Sequence, residues 1–241
     1  MSDFFDTLET RDPVQREAAL MAALPGQIAH AQSACPAYTE LLAGGYTQVC
    51  EFHYLHHRED GQAYDDELAM SWALADAAQD AGIGLTLLPV FYAWSGFGAQ
   101  PPSAGQRRFI HDLDGFARLR EAAITGARSL PDVVVGVAPH SLRAVAPDEL
   151  ALLARIAGHN PVHIHIAEQQ KEVADCIAWS GQRPVEWLLD HAPVSNRWCL
   201  VHATHMTEDE AQAMSASGAV AGLCPITEAN LGDGLFPAEP F

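Results

Sequence analysis

From Thr47 onward the chain repeats one unit: a short run rich in Val, Ile and Leu, then a longer amphipathic stretch. The runs are Thr47–Tyr54, Ile83–Phe91, Val133–Pro139, Val162–Ala167, Trp198–Ala203 and Ala219–Cys224. Nearly continuous apolar runs bounded by Gly, Pro or Asn suit strands covered on both faces, as in parallel sheets. The stretches between them, near Asp65–Ala81, Leu113–Leu130, Pro147–Ala157, Gln169–Trp179, Val185–Asp190 and Thr207–Ala216, carry helical spacing. Ala146-Pro147-Asp148-Glu149 sets Pro and two acids in a first turn, and Thr207-Glu208-Asp209-Glu210 has the form of a capping box. Gly82 and Gly218 fall where helices should end. Strand followed by helix, many times over, demands a parallel sheet with right-handed crossovers. Two α/β architectures satisfy that demand, a doubly wound sheet and a (β/α) barrel.

Composition narrows what such a fold can do. With 241 residues, 49% of them hydrophobic, the chain can bury one large core. No stretch approaches the ~20 uncharged apolar residues of a membrane span. The acidic start MSDFFDTLETRD has no basic segment leading an apolar one, so no secretion signal is expected. Thirteen Lys and Arg face 31 Asp and Glu, a formal charge of -18. That surface repels phosphate backbones and excludes nucleic-acid binding, and any anion must be held by a local cationic patch. Five scattered cysteines with no CxxC pair fit reduced thiols and a cytoplasmic location. Residues 1–43 contain no strand pattern; helices are expected over Asp12–Ala23 and Gln27–Ser33. The aromatic, Gly- and Pro-rich loop Ala93–Gln106 is long enough to be a lid.

Polar residues collect at the C-terminal ends of the apolar runs. The first, third, fourth, fifth and sixth runs end in Glu51-Phe52-His53-Tyr54, Pro139-His140-Ser141-Leu142-Arg143, His163-Ile164-His165-Ile166-Ala167-Glu168, His202-Ala203-Thr204-His205 and Cys224-Pro225-Ile226-Thr227-Glu228-Ala229-Asn230. In either architecture that end of the sheet is the active-site mouth. A single histidine there is usually structural; histidines on several strand ends suggest a metal site, because neutral imidazole suits zinc-like cations. His163 and His165 are two apart and share one face, although His163 can equally brace a neighbouring strand. Glu168 lies close enough to shuttle protons beside a metal held by His165. Tyr54 and Arg143 are natural substrate contacts, Arg143 because guanidinium grips carboxylates bidentately. His30, His111, His159 and His191 sit in helix or loop contexts and read as surface residues.

The phrases GYTQVCEFHYLHH, GVAPHSLRAV, VHIHIAEQ, CLVHATH and GLCPITEANLGDGLFP, spread over residues 44–241, resemble the amidohydrolase superfamily, and within it the formimidoylglutamate deiminases. The resemblance implies that His165 is a zinc ligand, Glu168 the acid/base, and His202 the group that orients the attacking water or the developing oxyanion. It implies that Tyr54, His140 and Arg143 bind a small anionic substrate, N-formimino-L-glutamate, which is hydrolysed to N-formyl-L-glutamate and ammonia. Residues 8–42 instead resemble the N-terminal segment of phenylacetate-CoA-ligase-type enzymes, which makes 1–43 a foreign helical segment and 44–241 the barrel domain.

The family pattern also supplies an HxH from a first strand and an Asp from an eighth, and this sequence has neither. Its only HxH is His163-Ile164-His165. The six runs therefore correspond to strands two to seven of a partial TIM (β/α)8 barrel, without the first and eighth strands or the β-sandwich of the family. Open barrel edges invite pairing. Filling by residues 1–44, filling by a second copy in a homo-oligomer, and no filling all remain open. A chain with one expected ligand of four is equally read as an inert fragment or fused reading frame, or as a deaminase acting on another C–N substrate.

Overall fold

The computed structural model describes Gln15 and residues 36–241. The helices expected over 12–23 and 27–33, and the expectation for His30, lie outside the described residues, save Gln15. Helix α1 (Pro36–Ala43) leads into β1 (Gln48–His53), α2 (Ala69–Ala81), β2 (Gly84–Phe91), a 3-10 turn at Ala104–Gln106 and α3 (Leu113–Ala127). Then follow β3 (Val133–Val135), β4 (Ala138–Pro139), α4 (Pro147–Ala157), β5 (Val162–Ile166), α5 (Gln170–Ser180), α6 (Pro184–His191), β6 (Trp198–His202), α7 (Glu208–Ser217), β7 (Val220–Gly222) and α8 (Pro225–Leu231).

Every pairing between named strands is parallel and follows chain order: β1 with β2, β2 with β3 and β4, β5 with β6, β6 with β7. Parallel bridges Val137–Val162 and Ser141–His165 join β4 to β5. A doubly wound sheet reverses its strand order at a switch point. Nothing reverses here, so the sequential array is that of a partial (β/α) barrel.

The apolar runs became strands for the expected reason. All eight residues of β2 are buried, and the core runs from Leu85, Leu87 and Phe91 through Ile164 and Ile166 to Trp198 and Leu200. The run Val133–Pro139 is split into β3 and β4 at Gly136. A Cβ there would lie 2.6 Å from the Pro161 carbonyl oxygen and 2.7 Å from Leu88 Cδ2, so only glycine lets the two segments approach. The expected caps are formed. Thr207 Oγ1 accepts from Glu210 N at 3.2 Å while Glu210 Oε2 accepts from Thr207 N at 2.9 Å, and Gly82 and Gly218 end their helices at φ 77°. Glu210 also receives Arg183 Nε at 2.6 Å, tying α7 to the start of α6.

Helices α1 and α8 are not visible in the hydrophobic pattern. Among the described residues no helix is long and apolar enough to cross a membrane.

Candidate active site

The sequentially ordered strands bring their C-terminal ends to one mouth. Strand β5 buries Val162, Ile164 and Ile166 and leaves His163 and His165 half-buried on the opposite face. His165 Nδ1 lies 3.1 Å from the His140 carbonyl oxygen. A carbonyl only accepts, so Nδ1 carries the ring proton and Nε2 offers its lone pair. Burial pushes the His165 pKa down to about 4, helped by the charges of His202 and Arg143 and opposed by that backbone bond. The ring is neutral at pH 7, as a metal ligand must be.

His202 reaches the same place by a different route. By strand alternation it shares the face of Trp198 and Leu200, away from the mouth. At φ 68° its backbone leaves strand geometry, followed by Ala203 at φ 50°. The imidazole instead stacks on His165, centroids 5.4 Å apart and planes 22° apart. A left-handed non-glycine residue costs of order 1–3 kcal/mol and persists only where surroundings over-determine it. Here the surroundings are two carboxylates: Glu168 Oε1 lies 3.5 Å from Nε2, and Glu228 Oε1 lies 3.0 Å from Nδ1.

Glu168 follows a third strained residue, Ala167, at φ 50°. That turn is held by the buried carboxylate of Glu172, which accepts from Ala167 N at 3.0 Å and Glu168 N at 3.1 Å. Burial raises the Glu168 pKa; Asp233, its hydrogen-bond partner, adds to the rise while His202 and Arg143 oppose it. A carboxyl raised above its usual range holds a proton more readily than a free glutamate, as a group that accepts and returns one must.

Arg143 and Glu168 line a cleft of about 660 Å³ between the loop after β2 and α5, together with Phe97, Gln100, Lys171 and Trp179. Phe97 stacks on Trp179 at 5.4 Å, pinning the expected lid to α5. His140 packs against His165, Phe52, Tyr54 and Tyr92, and burial first, then His165 and Arg143, lowers its pKa to about 3. Tyr54 is 37% exposed and edge-on to Phe109. His165, His202, Glu168, His140 and Arg143 thus adjoin one mouth, with Tyr54 behind His140.

Glu172, Glu228 and Asp233 belong to the site without having been singled out from the sequence. The polar run Cys224–Asn230 is visible there, but nothing local says that α8 folds its Glu228 back onto His202. His111 corrects the expectation of a surface residue. Itself half-buried, it closes a cluster with buried His56 and half-buried His57, centroids 4.9 and 4.7 Å away, and His53 packs on His56 at 5.4 Å. His159 and His191 are exposed as expected.

As a test of metal binding, His165 has the right tautomer and charge for one ligand. Among the described residues, the group of three donors whose ligand atoms lie within 4.8 Å of one another is His202, Cys224 and Glu228. Glu228 Oε1 there already accepts from His202 Nδ1 and Cys224 N, so the trio is satisfied internally. His165 is thus one candidate ligand, and the described residues that group as possible metal donors do not complete a metal centre around it.

Sequentially wound parallel strands with imidazole and carboxylate at their C-terminal ends define a (β/α)-barrel protein with its site at the mouth. The Amidohydrolase family matches residues 23–241, and the chain belongs to that family. It is 55% identical over 214 residues to formimidoylglutamate deiminase of Pseudomonas aeruginosa, covering 86% of this chain and 46% of that protein. It is 27% identical over 199 residues to 5-methylthioadenosine/S-adenosylhomocysteine deaminase of Shouchella clausii, covering 81% of this chain and 40% of that one. A solved amidohydrolase from Brucella melitensis superposes with a TM-score of 0.83 at 58% identity, covering 85% of this chain and 46% of that structure. The chain therefore spans less than half the length of these relatives.

Proposed function

We propose that this chain carries the substrate-gripping and proton-transfer part of a formimidoylglutamate deiminase, which hydrolyses N-formimino-L-glutamate to N-formyl-L-glutamate and ammonia. The observation that carries the reading is the convergence of Glu168, His202 and Arg143 on one mouth, in a chain 55% identical to a relative of that name.

Arg143 is the local cation that a chain of charge -18 needs to hold a carboxylate. Tyr54 and His140 complete the grip. Glu168 takes a proton from the attacking water as its oxygen bonds to the formimino carbon. The formimino group enters as its amidinium, whose terminal nitrogen already carries two hydrogens; Glu168 delivers the third as the C–N bond breaks, so NH3 leaves, and the remaining hydroxyl proton passes by way of Glu168 to solvent as the formyl C=O forms. His202, held by Glu228, orients the water. A divalent metal, zinc by family resemblance, activates that water when bound; His165 would be one of its ligands.

The experiment is formimino-glutamate turnover by the full chain with and without added zinc, followed as ammonia release. Turnover in which Arg143→Ala raises KM at least tenfold, with metal content unchanged, supports the reading. Equal or better turnover of a neutral amidine or a nucleoside base overturns the substrate assignment.

A second reading has its own observation, the single ligand among the described residues: the chain alone is inert. Zinc lost completely on dialysis, with no turnover, supports this second reading over the first.

A further inference from the structure

The bonding around His202 assigns separate tasks to its two ring nitrogens. Nδ1 is 3.0 Å from Glu228 Oε1, and that same oxygen accepts the Cys224 backbone N–H at 2.9 Å. An oxygen receiving an amide N–H and facing a second nitrogen has no hydrogen of its own to give in either direction. The Nδ1···Oε1 contact is therefore a hydrogen bond only if the proton sits on Nδ1. The pair is enclosed: His202 is 4% and Glu228 5% exposed, so water does not compete for either partner.

The ring of His202 has further neighbours beside Glu228. One face stacks on His165, and the left-handed backbone at His202 and Ala203 fixes where the side chain starts. Nε2 is left pointing at Glu168 Oε1, 3.5 Å away, on the side of the cleft.

We propose that Glu228 is a positioning residue that keeps a proton on Nδ1 of His202, making Nε2 the nitrogen that works toward Glu168 and the bound substrate. What Nε2 acts on rests on the deiminase reading; where the proton sits does not. A carboxylate behind a histidine fixes its tautomer and orientation, a device common behind metal-bound and catalytic imidazoles.

The test is a long-range 1H–15N correlation spectrum of the full chain labelled with 15N-histidine, at neutral pH, with His202→Gln assigning the ring. In the unsubstituted chain Nδ1 is expected to be protonated. Glu228→Gln should preserve that state, because an amide oxygen can accept from both Cys224 N–H and Nδ1–H. Glu228→Leu should move the proton wholly or partly to Nε2.

Unprotonated Nδ1 in the unsubstituted chain overturns the proposal, as does an unchanged tautomer in Glu228→Leu. Should Glu228→Leu fail to fold, the unsubstituted chain and Glu228→Gln still decide. Where turnover is measurable, Glu228→Leu should lower kcat about 10- to 100-fold with KM little changed, and Glu228→Gln should recover most of it. A chain with no turnover defeats the deiminase reading and leaves the spectroscopic result standing.

Discussion

Acidification by one pH unit should weaken this fold through the cluster behind Tyr54. Burial pushes the pKa of His53 down to about 4 and that of His56 well below its usual 6.5. Burial also brings His111 to about 4, with His57 and Arg118 lowering it further and Asp112 opposing. These groups are neutral when folded and gain protons near 6.5 when unfolded. A depressed folded pKa means that their contribution is present above pH 6.5 and is lost as the pH falls from there toward about 4. By proton linkage each such histidine costs about 0.7 kcal/mol between pH 7 and pH 6, so the three together cost about 2 kcal/mol, and about 4 by pH 5.5. Glu168 and Glu172, whose pKa values burial raises, work the other way and gain stability as they protonate.

A difference measurement cancels them. Urea denaturation at pH 7, 6 and 5.5 should show His111→Gln losing roughly 0.7 kcal/mol less than the unsubstituted chain over the first unit. Identical pH profiles for the two proteins would refute the argument, because His111 would then titrate alike folded and unfolded. Among the described residues, three of the cluster's buried nitrogens, His56 Nδ1, His57 Nδ1 and His111 Nε2, have no hydrogen-bond partner to accept an added proton.

Three substitutions probe the frame around the site. Gly136→Ala drives a methyl into the Pro161 carbonyl and Leu88, and should cost about 1–3 kcal/mol in a urea titration. Arg183→Ala removes the cation from buried Glu210; because that carboxylate keeps its bond to Thr207 N, a loss near 2 kcal/mol is expected, or about 4–8 °C in Tm. Glu172→Ala frees two backbone N–H groups that hold the turn bearing Glu168. A loss of about 2–3 kcal/mol should appear with faster amide exchange at Ala167 and Glu168; unchanged exchange would contradict the role given to Glu172.

The sheet was legible because its signal is local. Burial on both faces makes runs such as Gly84–Phe91 almost purely apolar, and Gly82 and Gly218 mark helix ends by the backbone geometry they permit. His165, His202 and Glu168 were legible as strand-end polar residues. Their supports were not, since Glu228 reaches His202 across 26 residues and nothing in the intervening pattern encodes that reach. His111 was misread for the same reason: its loop looks solvent-facing until α3 docks and sets it against His56 and His57. The choice between a barrel and a doubly wound sheet was also beyond local reading, because both have the same alternation and differ only in strand order.

Strand order equal to chain order has a consequence for how such a chain is made. Each new strand finds its partner already made, so a chain emerging from its N-terminal side can add β2 to β1, then β3 and β4 to β2, before β5 exists. Pairing need never wait for a distant partner, which keeps loop-closure entropy small at every addition. The same order leaves one growing parallel edge uncovered until its next strand arrives. The interval between strands, set by the helix that must be synthesised in between, is then the period in which a nascent chain is most exposed to pairing with its neighbour.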